Sequence, residues 1–226
     1  MIFKEKESVE LVNDYISHPE FEEMRNKIND CGSDDLPTFG GTFVGGYNIQ
    51  QAADEFASLC LLLKDKKSPI KLYGEIGSAS GGNLRFVHEN IGFTEAMTAD
   101  NQQHPKHGYQ PENFKAFDST LKKFAGDSHS DDFKNFLKET YGDRKFDVLF
   151  IDGDHTYEGL CEDIEMMLPY GDEETYYIFH DTVACANAVG KAVQKYLDNE
   201  TFVTIGHFVS RSLPVLGIAV CKKIKK

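Results

Sequence analysis

From residue 69 to the C-terminus, short apolar runs alternate with amphipathic stretches, and this alternation constrains the fold of the 226-residue chain more than any other feature. Runs with strand character cover 69–76, 94–99, 122–126, 146–151 and 176–179. Helical periodicity covers 82–90, 112–121, 131–140, 157–168 and 186–198. Two more strands, 202–207 and 215–221, follow each other through a loop. Such alternation predicts an α/β fold: a doubly wound, mostly parallel seven-stranded sheet with helices on both faces. The last two strands are expected to form an antiparallel pair at one end. Ligands of such sheets gather beyond the carboxyl ends of the strands, where strand order reverses. The site is therefore sought just after Ile76, Ala99, Gly126, Ile151 and Phe179.

Ahead of this region, residues 5–30 are charged with spaced apolar positions. They read as one or two short helices broken near His18 and Pro19 and stopped at Cys31–Gly32. A Gly-rich loop, 39–47, leads into a strong helix over 49–63. Internal repeats, low-complexity runs and linkers are lacking. The expected organisation is one domain over 1–226, with 1–66 as a helical N-terminal extension and loop, and 67–226 as the core.

The formal net charge of -13 repels phosphate backbones, so a nucleic-acid partner is not expected. The basic run Lys222–Lys226 reads as a solvated tail. No apolar run reaches the ~20 residues of a membrane-spanning helix, and the N-terminus lacks the apolar stretch of a secretion signal. A cytoplasmic protein is the expectation. Cys31, Cys60, Cys161, Cys185 and Cys221 are odd in number and show no CxxC spacing, which fits reduced thiols and not a disulfide framework or a local zinc motif. The helical N-terminus leaves both a homo-oligomer and packing on its own domain open.

Between the first strand and its helix lies Glu75-Ile76-Gly77-Ser78-Ala79-Ser80-Gly81-Gly82-Asn83. It is not the GxGxxG dinucleotide fingerprint, because Ala79 stands at the second glycine. Nor is it GxSxG or a phosphate-binding P-loop. Glycines here allow close approach to the main chain, and the acid just ahead suits a ligand with an amine or cationic end. Asp100 ends the second strand about 20 positions on, where an acid can accept from ribose hydroxyls. Asp152, Asp154 and His155 end an apolar strand, and His180 and Asp181 end the next. If the two strands are neighbours, Asp152 and Asp181 project into one cleft, where a divalent cation relieves their repulsion. Oxygen ligands suit Mg²⁺, and His180 shifts the preference toward Mn²⁺. Asp154 also reads as a helix cap, and His104 and His107 as a solvated loop or part of an acceptor pocket.

Glu75-x-Gly77 with Gly81-Gly82, Asp100, Gly126-Asp127-Ser128 and the run from Phe146 through Asp152-Gly153-Asp154-His155 to Gly159 resemble class I S-adenosylmethionine-dependent methyltransferases. Within these the chain is similar to small-molecule O-methyltransferases, including the macrocin-type sugar enzymes, and to cephalosporin hydroxylase-like proteins. The resemblance spans roughly 40–220 and implies a Rossmann-like core. By it, Glu75 and Gly77, with Ser78 and Gly81 in the same turn, hold the methionine end of S-adenosylmethionine. Asp100 takes the ribose, and Ser128 and His129 border the adenine. Asp152 lies at both cofactor and metal, with Asp181 as the other metal ligand and His180 at a position often acidic. Transfer to a small-molecule hydroxyl, on a sugar or a hydroxylated natural product, needs a base, for which Asp154 and His155 are placed. A hydroxylase-like protein or a non-catalytic cofactor-binding one are the alternatives.

Overall fold

The computed structural model describes residues 15–31, 46–103, 109–211 and 215–225. The expected helix before residue 15, most of the Gly-rich loop, and His104 and His107 lie outside them. In chain order the elements are α1 Phe21–Cys31, α2 Ala53–Lys64, β1 Leu72–Ile76, α3 Gly82–Asn90, β2 Glu95–Asp100, α4 Pro111–Phe114, β3 Leu121–Ala125 and α5 Asp131–Tyr141. There follow β4 Val148–Ile151, α6 Tyr157–Met167, β5 Tyr176–Phe179, α7 Lys191–Asp198, β6 Phe202–Phe208 and β7 Ile218–Lys223.

All seven strands form one sheet in the order β3-β2-β1-β4-β5-β7-β6. β1 to β5 run parallel, and β7 is antiparallel to both β5 and β6, as the strand pattern predicts. The chain starts at the centre, winds outward to β3, then returns past β1 to β4, so strand order reverses between β1 and β4. Ile76 pairs with both Ala99 and Ile151, and Ile151 pairs with Phe179. The next residues, Gly77, Asp100, Asp152 and His180, therefore emerge side by side along one edge.

The two-residue period sorts the strand side chains onto two cores. Leu72, Ile76, Leu149, Ile151, Tyr177 and Phe179 pack with α5, α6 and α7. Tyr73, Val148, Phe150 and Ile178 pack on the other face with α1, α2 and α3. Burial on both faces explains why β4 reads as an unbroken apolar run, Val-Leu-Phe-Ile.

Three local departures bear on the site. The helix expected over 112–121 is one α-turn, α4, followed by a 3₁₀ segment over Lys115–Thr120 that is kinked at Phe117. Phe114 and Phe117 are both buried, and their three-residue spacing suits the tighter turn. Residues 49–52 precede α2 instead of belonging to it, which buries Gln51 at the sheet edge. The last helix opens with a π-turn over Ala186–Gly190. Among the described residues no helix is long and apolar enough to cross a membrane.

Candidate active site

A cleft of about 1090 Å³ lies over the edge where strand order reverses. Gly77, Asp100, Ser128, His129, Asp152, Asp154, His155, His180 and Asp181 all line it. Glu75, Ser78 and Gly81 are not among its lining residues.

The turn after β1 is built for close approach. Gly77 has φ +80°, and a β-carbon there would overlap the main-chain carbonyl of Asp152. Glycine is thus required first by the contact between the ends of β1 and β4. Gly81 also has φ +80°, and a β-carbon there would strike the Phe114 ring. The Ser78 hydroxyl is tied to Thr98 beneath the turn. Asp100 closes the turn from β2: its Oδ2 accepts from Ala79 N (2.8 Å), and Oδ1 accepts from Gln102 N (2.6 Å). Each oxygen keeps a lone pair for a further donor.

Glu75 is buried, and its Oε2 has no hydrogen-bond partner. Burial, and next the Asp152 carboxylate, push its carboxyl well above the usual range. Gln51 donates from Nε2 to Asp152 Oδ2 (3.4 Å), while its buried Oε1 is unpartnered.

After β3, Ser128 donates to Asp163 Oδ1 (2.7 Å), and His129 Nε2 lies 3.2 Å from the same oxygen. Asp163 comes from the buried side of α6, so both residues are anchored to that helix. Its carboxylate raises the His129 pKa to about 9, with burial opposing. A raised folded pKa adds stability that is complete below about pH 6.5 and fades as pH rises through about 9. The His129 ring protons should titrate near 9 by NMR, and Asp163→Asn should bring the midpoint back toward about 6.5. An unshifted midpoint in the variant would remove Asp163 as the cause.

The ends of β4 and β5 hold the densest polar cluster. Asp152 Oδ1 lies 3.1 Å from His180 Nδ1 and 3.2 Å from His155 Nε2. Asp181 Oδ2 lies 3.3 Å from each of the same two nitrogens. Two carboxylate oxygens and two imidazole nitrogens therefore interleave. His180 is buried, its ring against Phe150 and its Nε2 unpartnered. Asp181 adopts φ +55°, a left-handed conformation that costs a non-glycine residue energy. Burial alone would raise the Asp152 carboxyl, but His180 and then His155 overcome it and hold it well below the usual range. His155 is raised first by its hydrogen bond to Asp152.

Asp154 is half-buried at the lip, where Oδ1 accepts from Thr156 N (2.7 Å). The α6 cap is not Asp154 but Thr156, whose hydroxyl accepts from Gly159 N (3.0 Å).

Two participants are absent from the sequence-based candidates. Asp163 stands on an apolar stripe with Leu160, Ile164 and Met167, and an acid on a buried helical face is the signal that marks it. Gln51 carries no such mark, because only tertiary packing brings it to Asp152.

Residues 75–182 match the family model of a methyltransferase domain. The match runs from the end of β1 through the residue after Asp181 and so contains the strand ends just described, though not Gln51. No curated protein matches the sequence. Among solved structures, an O-methyltransferase from Bacillus cereus in complex with S-adenosylhomocysteine superposes with a TM-score of 0.61 at 14% identity, covering 96% of each chain. The O-methyltransferase TomG from Streptomyces achromogenes, with S-adenosylmethionine, gives 0.62 at 12% identity over the whole of both chains. MycE of the mycinamycin biosynthetic pathway, with Mg and S-adenosylhomocysteine, gives 0.54 at 14% identity, covering 91% of this chain and 54% of that one. At such identities the likeness is one of fold. The chain carries the seven-stranded, mostly parallel Rossmann-like fold that these solved structures share, and just under half of it matches the methyltransferase-domain model.

Proposed function

We propose that this chain transfers a methyl group from S-adenosylmethionine to a hydroxyl of a small molecule, a sugar or a hydroxylated natural product, with the help of a divalent cation. One observation carries the reading: the glycine turn, Asp100 and the Asp152–Asp181 pair stand in register on one edge, over one cleft. The O-methyltransferases of like fold support it.

The residues suit both groups. Glu75 Oε2 and Gln51 Oε1 are buried acceptors lacking donors, which an ammonium such as that of the cofactor's methionine end supplies. Asp100 offers its spare lone pairs to the ribose hydroxyls. Ser128 and His129, fixed by Asp163, edge the adenine. Asp152, His180 and Asp181 each present one donor atom, all within 4.8 Å of one another, which matches the ligand set of a divalent cation. The cofactor supplies an electrophilic methyl, and a bound cation supplies charge that lowers the pKa of an acceptor hydroxyl. His155 holds a proton between the two carboxylates and is placed to exchange one with a hydroxyl in the cleft; Asp154 is the alternative base. Methyl and hydroxyl brought in line account for much of the remaining acceleration.

Two tests follow. Asp100→Ala should weaken S-adenosylhomocysteine binding about tenfold or more, since charge-assisted hydrogen bonds are worth ~1.5–3 kcal/mol. Unchanged affinity would remove Asp100 from the ribose site. Methyl transfer to a panel of hydroxylated acceptors should vanish on metal stripping and return with Mg²⁺ or Mn²⁺; transfer that survives stripping would refute the cation's part.

A second reading has one observation in its favour. Two imidazoles interleaved with two carboxylates also suit iron, as in a hydroxylase-like protein. Retained redox-active iron and cofactor-independent oxygen uptake would favour it.

A further inference from the structure

The five cysteines show no CxxC spacing, so a zinc site can arise in this chain only through the fold. The fold does assemble one set of suitable donors. Cys185 follows β5 by six residues, and its main-chain N–H donates to the Asp181 carbonyl (2.8 Å). Its own carbonyl accepts from Gly190 N (3.3 Å), the i to i+5 bond of the π-turn that opens the last helix. π-turns are uncommon and are frequent at functional sites. The sulfur of Cys185, a ring nitrogen of His155 and a carboxylate oxygen of Asp181 lie within 4.8 Å of one another. This set shares Asp181 alone with the Asp152–His180–Asp181 set.

We propose that His155, Asp181 and Cys185 form a second, thiophilic cation site that takes Zn²⁺ and competes with the oxygen-rich site for Asp181. Its regulatory meaning, inhibition of transfer by Zn²⁺, rests on the methyltransferase reading; the binding itself does not.

The chemistry favours that ion. A thiolate suits Zn²⁺ and is a poor ligand for Mg²⁺, so the two sets divide cations by softness. Tetrahedral zinc with donors at about 2.0–2.3 Å holds them about 3.5 Å apart; His155 Nε2 and Asp181 Oδ2 already stand 3.3 Å apart, and the sulfur has at most about an ångström to close. His155, with 45% of its side chain exposed, and half-buried Cys185 have room to do so, while Asp181 is buried and stays. On binding, the sulfur forms a bond to zinc and its proton leaves to solvent. Three protein ligands leave a fourth position for water. No redox step is involved.

Co²⁺ reports this geometry directly. Added to the full-length, metal-free chain, it should give the near-ultraviolet absorption of a thiolate–cobalt bond, and Zn²⁺ should displace it. Cys185→Ser should abolish that band and weaken Zn²⁺ about tenfold or more, while changing Mn²⁺ affinity less than about twofold. Asp181→Asn should weaken both ions. Absence of the band in the unaltered chain, its persistence in Cys185→Ser, or unchanged Zn²⁺ affinity in that variant would each overturn the proposal. S-adenosylhomocysteine binding, measured separately, decides the methyltransferase reading without bearing on this result.

Discussion

Asp152→Asn is expected to lower methyl transfer at least about a hundredfold, equivalent to ~2.7 kcal/mol of transition-state stabilisation. The amide keeps the shape of the side chain, so packing after Ile151 is retained. It removes the charge that both imidazoles address at 3.1 and 3.2 Å. Mn²⁺ binding should fall with activity, since Asp181 is left as the sole carboxylate of the cluster. Stability should fall as well, because His180 is enclosed and loses its closest anionic partner. The pH dependence has a definite sign. The folded pKa of Asp152 is depressed, so its contribution exists above the unfolded value of about 3.9 and is lost as pH falls through the folded one. Urea titrations of metal-free parent and variant should therefore differ at neutral pH and converge in acid. Equal activity, or a stability gap that persists in acid, would contradict this role.

Gly77→Ala is expected to cost about 3 kcal/mol or more in folding stability, through strain at positive φ added to a main-chain clash. The new methyl would overlap the carbonyl of Asp152, and a carbonyl in a paired strand end cannot swing aside as a side chain can. For a chain of this size that corresponds to a fall in Tm of roughly 6–12 °C. S-adenosylhomocysteine affinity should fall too, because relief requires β1 and β4 to part at the edge that holds the cofactor. Gly92 provides the control: it has φ +91°, but a β-carbon there meets nothing within 4 Å. Gly92→Ala should cost about 1 kcal/mol and leave binding intact. Equal losses at the two positions would show that conformational strain, and not the approach of β4, makes Gly77 necessary.

Much of this architecture is legible in the chain because period and burial coincide. Phe146 to Ile151 reads as a strand without ambiguity, and β4 sits at the centre of the sheet with apolar neighbours on both faces. The convergence of Asp152 with Asp181 follows once β4 and β5 are taken as neighbours, as they are. The sequence misjudges places where tertiary contacts overrule local preference. The run 112–121 has helical periodicity, yet Phe114 and Phe117 are drawn into the core and the segment kinks at Phe117. That Glu75 is buried close to Asp152 with its Oε2 unpartnered cannot be read from its place before the glycine turn. His155 reads as a base or a support, and its dual contact to Asp152 and Asp181 depends on a turn geometry that spacing does not encode. Cys185 is invisible for the same reason: Asp181 stands four residues before it, but His155 comes from the turn after β4.

The central claim is that the edge formed by the ends of β1, β2 and β4 binds S-adenosylmethionine. Calorimetric titration of S-adenosylhomocysteine into the metal-free chain, repeated with Mg²⁺ and with Mn²⁺, tests it most directly. The account predicts micromolar binding at one site per chain, with a separate metal isotherm that Asp152→Asn removes. Absence of binding under all three conditions would contradict it and leave the chain with the fold of these enzymes and none of their chemistry.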